Sequence, residues 1–255
     1  MRRGWDLTIT NDLLNARRVA TLNIRHGGKK YADALSARLF GYDADLLIVT
    51  EFRANDVGES LIDQLERAGY ETSHCGAAPS RNAVLVASRS SIDRCWALDE
   101  TLDAERLWCV ETGGGIICGV LFPNKHKKQP YWQAVIEAAR RGGVDLFIGD
   151  FNTGNNALDK DPRGIPFINA DMPRRLVDCG YVDLWRSRHP GIREYTWYSQ
   201  TNNGFRLDHA FAVPALAERL ITCAFDHEPR LSGETDHSAL VLSFAADACV
   251  PSESN

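Results

Sequence analysis

LFIGDFN, at Leu146–Asn152, joins a continuous apolar run to an acid and an amide. The run LFIG is typical of a buried strand, and Asp150 follows it directly. If the chain stays extended, Asp150 and Asn152 lie on one side and Phe151 on the other, so the ring anchors in the core while the polar pair faces one ligand. The same residues are also typical of a loop that contains an Asx turn.

A second acid also comes directly after a predicted buried strand. The apolar run at Leu46–Thr50 is also typical of a buried strand, and Glu51 follows it. A carboxylate at the end of a buried strand projects from a rigid scaffold into a surface crevice. A single acid in this position is most often an ordinary turn residue, but two with the same construction favour a shared site.

Two later segments add acids and a histidine beside predicted strands. RLDHAF contains Asp208, and GETDHSALVLSF contains Asp236 and His237. A buried carboxylate that pairs with an imidazole fixes the tautomer of the ring and raises its basicity. Clustered carboxylates also repel one another, and a hard divalent cation commonly compensates them. Oxygen donors without cysteine favour Mg²⁺ or Mn²⁺ over zinc.

The order of the predicted elements indicates a mixed α/β fold. Strands alternate with helices early in the chain, and strands dominate later. The predicted strands are Val19–Ile24, Leu46–Thr50, Val84–Ala87, Leu107–Val110, Ile116–Phe122, Leu146–Gly149, Tyr195–Tyr198, Leu207–Val213 and Leu240–Phe244. Helical spacing of apolar residues predicts helices over Tyr31–Phe40, around Leu61–Ala68 and after Pro130.

Composition limits the class of protein. The 255 residues suit one domain across the whole chain, with a core from about Arg17 to about Ala246 and frayed ends. Seven cysteines without zinc-site spacing suggest reduced thiols. No signal peptide or membrane-spanning run stands out, so we expect a cytoplasmic protein. The net charge of −5 argues against indiscriminate coating of nucleic acid but allows a local basic surface.

Seven short motifs occur in a fixed order along the chain. They are LNI (Asn23), TEF (Glu51), FPN (Phe122–Asn124), GDFN (Asp150, Asn152), YTW (Tyr195–Trp197), RLDH (Asp208) and TDHS (Asp236, His237). The ordered set resembles the endonuclease/exonuclease/phosphatase superfamily over nearly the whole chain. From Tyr181 onward, the sequence is similar to the exonuclease III branch of bacterial abasic-site endonucleases and 3′-exonucleases. The resemblance implies a four-layer α/β sandwich, with two mixed β-sheets packed face to face and flanked by helices.

The resemblance also implies a metal centre. Glu51 would be the principal ligand of Mg²⁺ or Mn²⁺, with Asn23 and Asp236 nearby. Asp150 would orient or deprotonate the attacking water, and His237 would bind the phosphate or act as an acid or base. Which of these two residues is the base, and whether one or two ions bind, stays open at this point.

The remaining roles concern the substrate. Asn152 would donate a hydrogen bond to the phosphate, and Asp208 would orient the catalytic histidine. Three apolar residues match positions that line the pocket for a flipped sugar in the abasic-site enzymes, although ordinary core packing explains them as well. These residues are Trp197, Phe205 and Leu207.

Two positions depart from the family pattern. Leu121 stands where the family usually has a tyrosine, which removes a hydroxyl that contacts phosphate. Arg25 stands where many members have Asp or Asn. A cation at this position would contact the substrate phosphate and disfavour a second metal ion nearby.

Basic residues follow two of the site segments. One group is Arg25, His26, Lys29 and Lys30, and the other is Lys125, His126, Lys127 and Lys128. Cations around an acidic metal centre suit a polyanion that is held by its backbone. Among the residues near these segments, Arg25, Asn124 and Lys127 are predicted to bind substrate.

These patterns predict a metal-dependent phosphodiester hydrolase acting on DNA, a 3′-exonuclease or abasic-site endonuclease in DNA repair or degradation. One alternative is a phosphatase or phosphodiesterase acting on RNA, a lipid headgroup or a small molecule, since one fold hosts many substrates. A second is a catalytically inactive binding module, which would not need the complete set of catalytic side chains. The sequence does not indicate an oligomeric state.

Overall fold

The computed structural model of this chain describes residues 16–28, 31–76 and 78–246. The basic residues Lys29 and Lys30, the cysteine Cys249 and the frayed ends expected from the sequence lie outside the described residues. No helix within the described ranges has the length and apolar content that a bilayer crossing requires.

Fourteen strands and seven α-helices make up the described part of the chain. The strands are β1 (Arg18–Asn23), β2 (Leu46–Phe52), β3 (Glu71–His74), β4 (Ala83–Ser88), β5 (Ile92–Ala97), β6 (Leu107–Thr112), β7 (Gly115–Leu121), β8 (Leu146–Asp150), β9 (Val182–Asp183), β10 (Trp197–Tyr198), β11 (Gly204–Phe205), β12 (Asp208–Ala212), β13 (Leu220–Asp226) and β14 (Ala239–Phe244). The helices are α1 (Ala32–Gly41), α2 (Asp56–Arg67), α3 (Gln129–Arg141), α4 (Met172–Asp178), α5 (Leu184–Arg188), α6 (Pro214–Glu218) and α7 (Glu228–Leu231).

Two six-stranded mixed sheets form the centre of the molecule. The first has the strand order β13-β14-β1-β2-β4-β3, and the second has the order β5-β6-β7-β8-β12-β9. Each sheet contains one parallel pair, β1 with β2 and β7 with β8. A two-stranded ribbon, β10 with β11, accompanies them.

The apolar faces of the strands determine how the layers of the molecule pack. One face of each sheet packs into a shared core that includes Val19, Ile48, Ile148 and Leu242. Helices α1 and α2 cover the outer face of the first sheet, where Leu35 belongs to the cluster, and α3 and α4 cover the outer face of the second. The predicted four-layer sandwich of two mixed sheets and flanking helices is therefore confirmed.

The strands that the sequence did not predict lie mainly at sheet edges. Strand β5 has a largely exposed burial pattern, and most side chains of β13 are also exposed or half-buried. Both strands are outermost in their sheets. Strand β5 lacks the continuous apolar run by which the central strands are predicted, whereas β13 is largely apolar over LITCAFD although Ile221 and Ala224 are exposed at the sheet edge.

All the site segments reach one end of the sandwich. Strand β1 ends at Asn23, Glu51 is the penultimate residue of the parallel strand β2, and β8 ends at Asp150. Strand β12 runs antiparallel to β8 and begins at Asp208, which pairs with Asp150 in the register. The Asn23 side chain donates a hydrogen bond to Asp150, which joins the two sheets at this end.

A buried ion network holds the segment beside the pocket. The guanidinium of Arg206 is fully buried, and it donates from Nε to Asp159 at 2.8 Å and from Nη2 to Asp183 at 2.6 Å. Burial opposes charge, but the two carboxylates outweigh it and raise the pKa of Arg206. The network therefore fixes the backbone that carries the neighbouring residues Phe205 and Leu207.

We expect Arg206→Met to lower the free energy of unfolding by about 3–5 kcal/mol, because it leaves the buried Asp183 carboxylate without its guanidinium partner and Asp159 paired only with Arg186. Urea unfolding followed by circular dichroism measures the change. Arg67→Ala is the control, since the pair of Arg67 with Asp63 is exposed and contributes little. Equal losses in the two variants would show that the buried network does not support the fold.

Candidate active site

Glu51 lies at an irregularity near the end of β2. The pairing of β2 with β4 shifts register between Val49 and Phe52, and Glu51 has a positive φ of 56°. Bulges redirect side chains, and a left-handed backbone at a residue other than glycine is strain that clusters at functional sites. The carboxylate accepts a hydrogen bond from the backbone N–H of His26 at 2.8 Å and lines a surface cavity.

The amide of Asn23 orients two carboxylates. Its Nδ2 donates to Glu51 at 3.3 Å and to Asp150 at 3.0 Å. Its Oδ1 accepts from the backbone N–H of Arg25 at 2.9 Å. Because a backbone N–H can only donate, this contact fixes which end of the amide carries the oxygen. The amide nitrogen therefore faces the acids, and the role of Asn23 as a metal ligand stays a prediction.

Asp150 and Asn152 are brought together by a tight turn. Asn152 has a φ of 48°, so the segment is not extended beyond Asp150. The backbone N–H of Asn152 donates to Asp150 Oδ1 at 2.9 Å, which is the Asx turn that the sequence also allowed. The extended alternative is wrong, because the carboxylate satisfies the N–H two residues later. Phe151 is nevertheless buried, while the acid and the amide line one cavity.

Lys128 stabilises the turn at Asn152. Its ammonium donates to the backbone carbonyl of Asn152, and its side chain is buried. Burial lowers the pKa of Lys128 to about 8, against the opposing effect of the Asp150 carboxylate. The lysine that the sequence pattern favours for substrate binding is Lys127, which is exposed and does not line the cavity. Its role in substrate binding stays a prediction.

His237 and Asp208 form a buried pair. The ring Nδ1 lies 2.9 Å from Asp208 Oδ2, and both residues are almost fully buried. Burial by itself lowers the pKa of His237, but the carboxylates of Asp208, Asp150 and Asp236 outweigh it and raise the pKa to about 10. The ring therefore carries a positive charge at neutral pH, and Nε2 is the nitrogen left for a ligand.

Asp150 lies in the same electrostatic network. Burial raises the pKa of its carboxyl, the charged ring of His237 opposes this, and the neighbouring carboxylates of Asp208 and Glu51 add to it. A carboxyl with a raised pKa is a stronger base once it is ionised. The arrangement therefore places a basic carboxylate beside a cationic imidazole.

The YTW segment connects the strand that carries Asp208 to the segment that carries His237. The hydroxyl of Thr196 accepts hydrogen bonds from the backbone N–H groups of Leu207 at 3.0 Å and Asp208 at 3.3 Å. The carbonyl of Thr196 accepts from the backbone of Ser238 at 2.8 Å. The threonine thus sets the spacing between the strand that carries Asp208 and the segment that carries His237.

Asp236 is held at the rim of the cavity. Its Oδ2 accepts a hydrogen bond from the indole of Trp197 at 3.1 Å. The Nε of Arg25 lies 3.8 Å from the same oxygen, and the Arg25 side chain is 62% exposed. A cation already faces this carboxylate, so the role of Asp236 as a metal ligand stays a prediction.

The cavity has a volume of about 340 Å³. It brings together acidic, amide, imidazole and aromatic side chains from both sheets and the loops between them. The lining residues are His26, Glu51, Asn124, Asp150, Asn152, Phe167, Trp197, Phe205, Leu207, Asp236 and His237. The predicted substrate residues Asn124, Trp197, Phe205 and Leu207 are among them, whereas Leu121 is buried in the core between the sheets.

Two lining residues were not assigned to the pocket from the sequence. Phe167 packs edge-on against Phe205, with ring centroids 5.5 Å apart. It comes from a loop whose apolar residues show no periodicity, so no sequence signal predicts it. His26 was grouped only with the basic residues, yet its ring lies 2.9 Å from Glu51.

The chemistry of the donor set fits a hard cation with few protein ligands. Within the described residues, no three His, Cys, Asp or Glu side chains are grouped so that they could hold a metal ion. Mg²⁺ is commonly bound through one or two carboxylates, with water and substrate phosphate completing its shell. Glu51 meets that requirement, because its carboxylate is anchored and reaches the cavity.

Comparisons with known proteins identify the family and the fold. A model of the Endonuclease/Exonuclease/phosphatase family matches residues 20–230. No curated protein matches the chain.

Several solved structures share the fold. An AP endonuclease from Archaeoglobus fulgidus is 24% identical with a TM-score of 0.78, over 89% of this chain and 98% of that one. The 3′ phosphatase NExo from Neisseria, bound to a product DNA hairpin, is 22% identical with a TM-score of 0.79, over 90% of this chain and all (100%) of that one. The AP endonuclease LMAP from Leishmania major is 16% identical with a TM-score of 0.69, over 90% of this chain and 88% of that one.

Proposed function

This chain belongs to the endonuclease/exonuclease/phosphatase family of phosphoric ester hydrolases, and we propose that it hydrolyses phosphodiester bonds of DNA with a divalent metal held at Glu51. One observation carries the proposal. The buried pair of Asp208 and His237 lies beside Asp150, and Glu51 reaches the same cavity. A binding module has no need for this combination of a buried acid–imidazole pair and separate carboxylates.

Each residue of the site has a separate role in hydrolysis. Mg²⁺ or Mn²⁺, when bound, polarises a phosphoryl oxygen and lowers the pKa of water. Asp150 takes a proton from the attacking water, since its pKa is raised by burial and Asn23 fixes its carboxylate. His237 donates from Nε2 to a phosphoryl oxygen, because Asp208 holds Nδ1 and keeps the ring charged. Water attacks phosphorus and the bond from phosphorus to the leaving oxygen breaks; the leaving oxygen keeps the electron pair and takes a proton from solvent.

DNA is the proposed substrate because of the surroundings of the site. Arg25 is exposed at the rim and reaches over Asp236, and Lys127 is exposed on the segment after Asn124. Two of the structural neighbours are named as AP endonucleases, and a third is bound to a DNA hairpin. The cavity size and its aromatic wall suit one flipped sugar or a terminal nucleotide.

A phosphatase acting on a DNA 3′ end is the second candidate. It is favoured by the structural neighbour NExo, which is named as a 3′ phosphatase and has a TM-score of 0.79 with this chain. We also propose a cytoplasmic location, which is supported by the buried thiols Cys109, Cys118 and Cys223.

A substrate panel distinguishes these activities. We expect the protein with Mg²⁺ to cleave abasic duplex DNA or to shorten duplex DNA from its 3′ end faster than it hydrolyses RNA or a small phosphomonoester. Faster hydrolysis of the phosphomonoester than of every DNA substrate would contradict the DNA assignment.

DNA affinity should fall steeply with salt, since phosphate contacts release counter-ions. Z such contacts give a slope of log K against log[salt] of about −0.9Z. Fluorescence anisotropy with labelled duplex DNA measures this slope. Arg25→Gln should make the slope shallower by about 0.9, the value expected for one phosphate contact. Binding that is independent of salt would favour a small uncharged ligand over a polyanion.

A further inference from the structure

Ile165 is the most exposed large apolar side chain of the described residues, at 80%. It lies in loop 161–167, between β8 and α4, and the last residue of this loop, Phe167, lines the cavity. A single exposed apolar side chain is common on protein surfaces and by itself indicates nothing. The place of Ile165 beside the cavity, on a loop that the proposed mechanism does not use, gives its exposure a possible role.

A buried lysine fixes the backbone that precedes Ile165. The Lys160 side chain is buried beneath loop 161–167. Its ammonium donates hydrogen bonds to three carbonyls of the loop, those of Asp161 at 2.9 Å, Pro162 at 3.2 Å and Gly164 at 2.8 Å. The loop is therefore ordered before any substrate binds.

The same loop packs on the aromatic wall of the cavity. A Cβ atom at Gly164 would lie 2.8 Å from the ring of Phe205, so a larger residue would have to displace that ring. Phe167 packs against the same ring, and its backbone N–H donates to Asn156 Oδ1 at 2.7 Å. Ile165 lies between these two contacts and is consequently held at the edge of the cavity with its side chain in solvent.

We propose that Ile165 is a wedge that enters the base stack of duplex DNA beside the nucleotide held in the cavity. The inference rests on the proposed function, in which that nucleotide belongs to DNA. A nucleotide that leaves the duplex exposes the faces of its neighbouring bases, and apolar side chains such as isoleucine commonly insert at such steps. Insertion removes the exposed side chain from water, which favours binding in proportion to the apolar area that is buried.

The charge and the order of the loop suit DNA better than an apolar protein surface. Arg163 lies two residues before Ile165, and its 80% exposed side chain pairs with Asp161. Exposed ion pairs are weak, so this guanidinium can exchange Asp161 for a phosphate beside the separated bases. Because the backbone is already fixed by Lys160, insertion costs little conformational entropy.

Binding of the intact protein to duplex DNA with one tetrahydrofuran analogue of an abasic sugar tests the inference. The measurement is made in EDTA so that metal-dependent cleavage does not occur, and 2-aminopurine next to the analogue reports unstacking as increased fluorescence. We expect Ile165→Ser to lose most of this increase and to bind the duplex about 10-fold more weakly than the wild type. Its affinity for an undamaged duplex of the same sequence should stay close to that of the wild type, since no bases are separated there.

Ile221→Ser is the matched control, because Ile221 is also largely exposed. It lies on β13 next to Leu220, which pairs with Phe244 at the end of β14 remote from His237. This variant should bind and unstack both duplexes as the wild type does.

Two results would overturn the inference while leaving hydrolysis of DNA in place. One is an Ile165→Ser protein that keeps the wild-type affinity and fluorescence increase, and the other is a wild type that binds the abasic duplex without any increase. A wild type that binds neither duplex would instead contradict the DNA assignment of the proposed function, and the inference would fail with it.

Discussion

Replacement of His237 by alanine is expected to lower the rate of DNA hydrolysis by about 10²–10⁴-fold, the scale on which a positioned acid or base acts. The ring is buried and held by Asp208 at 2.9 Å, and its pKa is raised to about 10. The variant therefore removes a cationic donor from the cavity and leaves the Asp208 carboxylate buried without its partner. Single-turnover kinetics with a 3′-labelled duplex measure the loss.

His189→Gln is the matched control for this prediction. His189 contacts the carbonyl of Cys223 through its ring and does not line the cavity, and glutamine retains a donor for that carbonyl. Its rate should stay close to that of the wild type. A His237→Ala protein that folds normally and keeps a near-normal rate would show that the imidazole is not part of the chemistry.

Glu51→Gln is expected to cost a similar factor, about 10²–10⁴-fold, for a different reason. Glutamine retains an oxygen to accept the backbone N–H of His26 but lacks the negative charge that attracts the cation. The loss should consequently shrink as the concentration of Mg²⁺ or Mn²⁺ is raised. Rate measured against metal concentration separates weaker metal binding from a slower chemical step.

Glu59→Gln removes the same charge from the exposed surface of α2. It should leave both the rate and the metal dependence close to those of the wild type. If Glu51→Gln behaved like this control, the metal would have to be held elsewhere in the cavity.

The strand ends were the most predictable part of the site. Continuous apolar runs predict where β2 and β8 lie, so Glu51 and Asp150 could be placed at strand ends from the sequence alone. The proximity of Asn23 to Asp150 is a contact between residues 127 apart in the sequence. It followed from the family resemblance and not from any local pattern.

Local geometry was less predictable, because it depends on contacts that no periodicity encodes. The direction of the Asn23 amide is decided by one backbone N–H, and the turn at Asn152 by competition between an extended chain and the Asp150 carboxylate. Phe167 reaches the cavity from an irregular loop. From the sequence, His26 is only one of several basic residues in its segment. Its contact with Glu51 exists only in the folded chain, which places the ring against that carboxylate.

Removal of metal from the intact protein tests whether hydrolysis of DNA in this cavity is metal-assisted. The measurement is the cleavage rate of abasic and blunt duplex DNA after treatment with EDTA, and again after Mg²⁺ or Mn²⁺ is restored. We expect cleavage to stop with the chelator and to return with either ion in the wild type, but at least about 100-fold more slowly in His237→Ala. DNA cleavage that continues at full rate in EDTA would contradict this expectation.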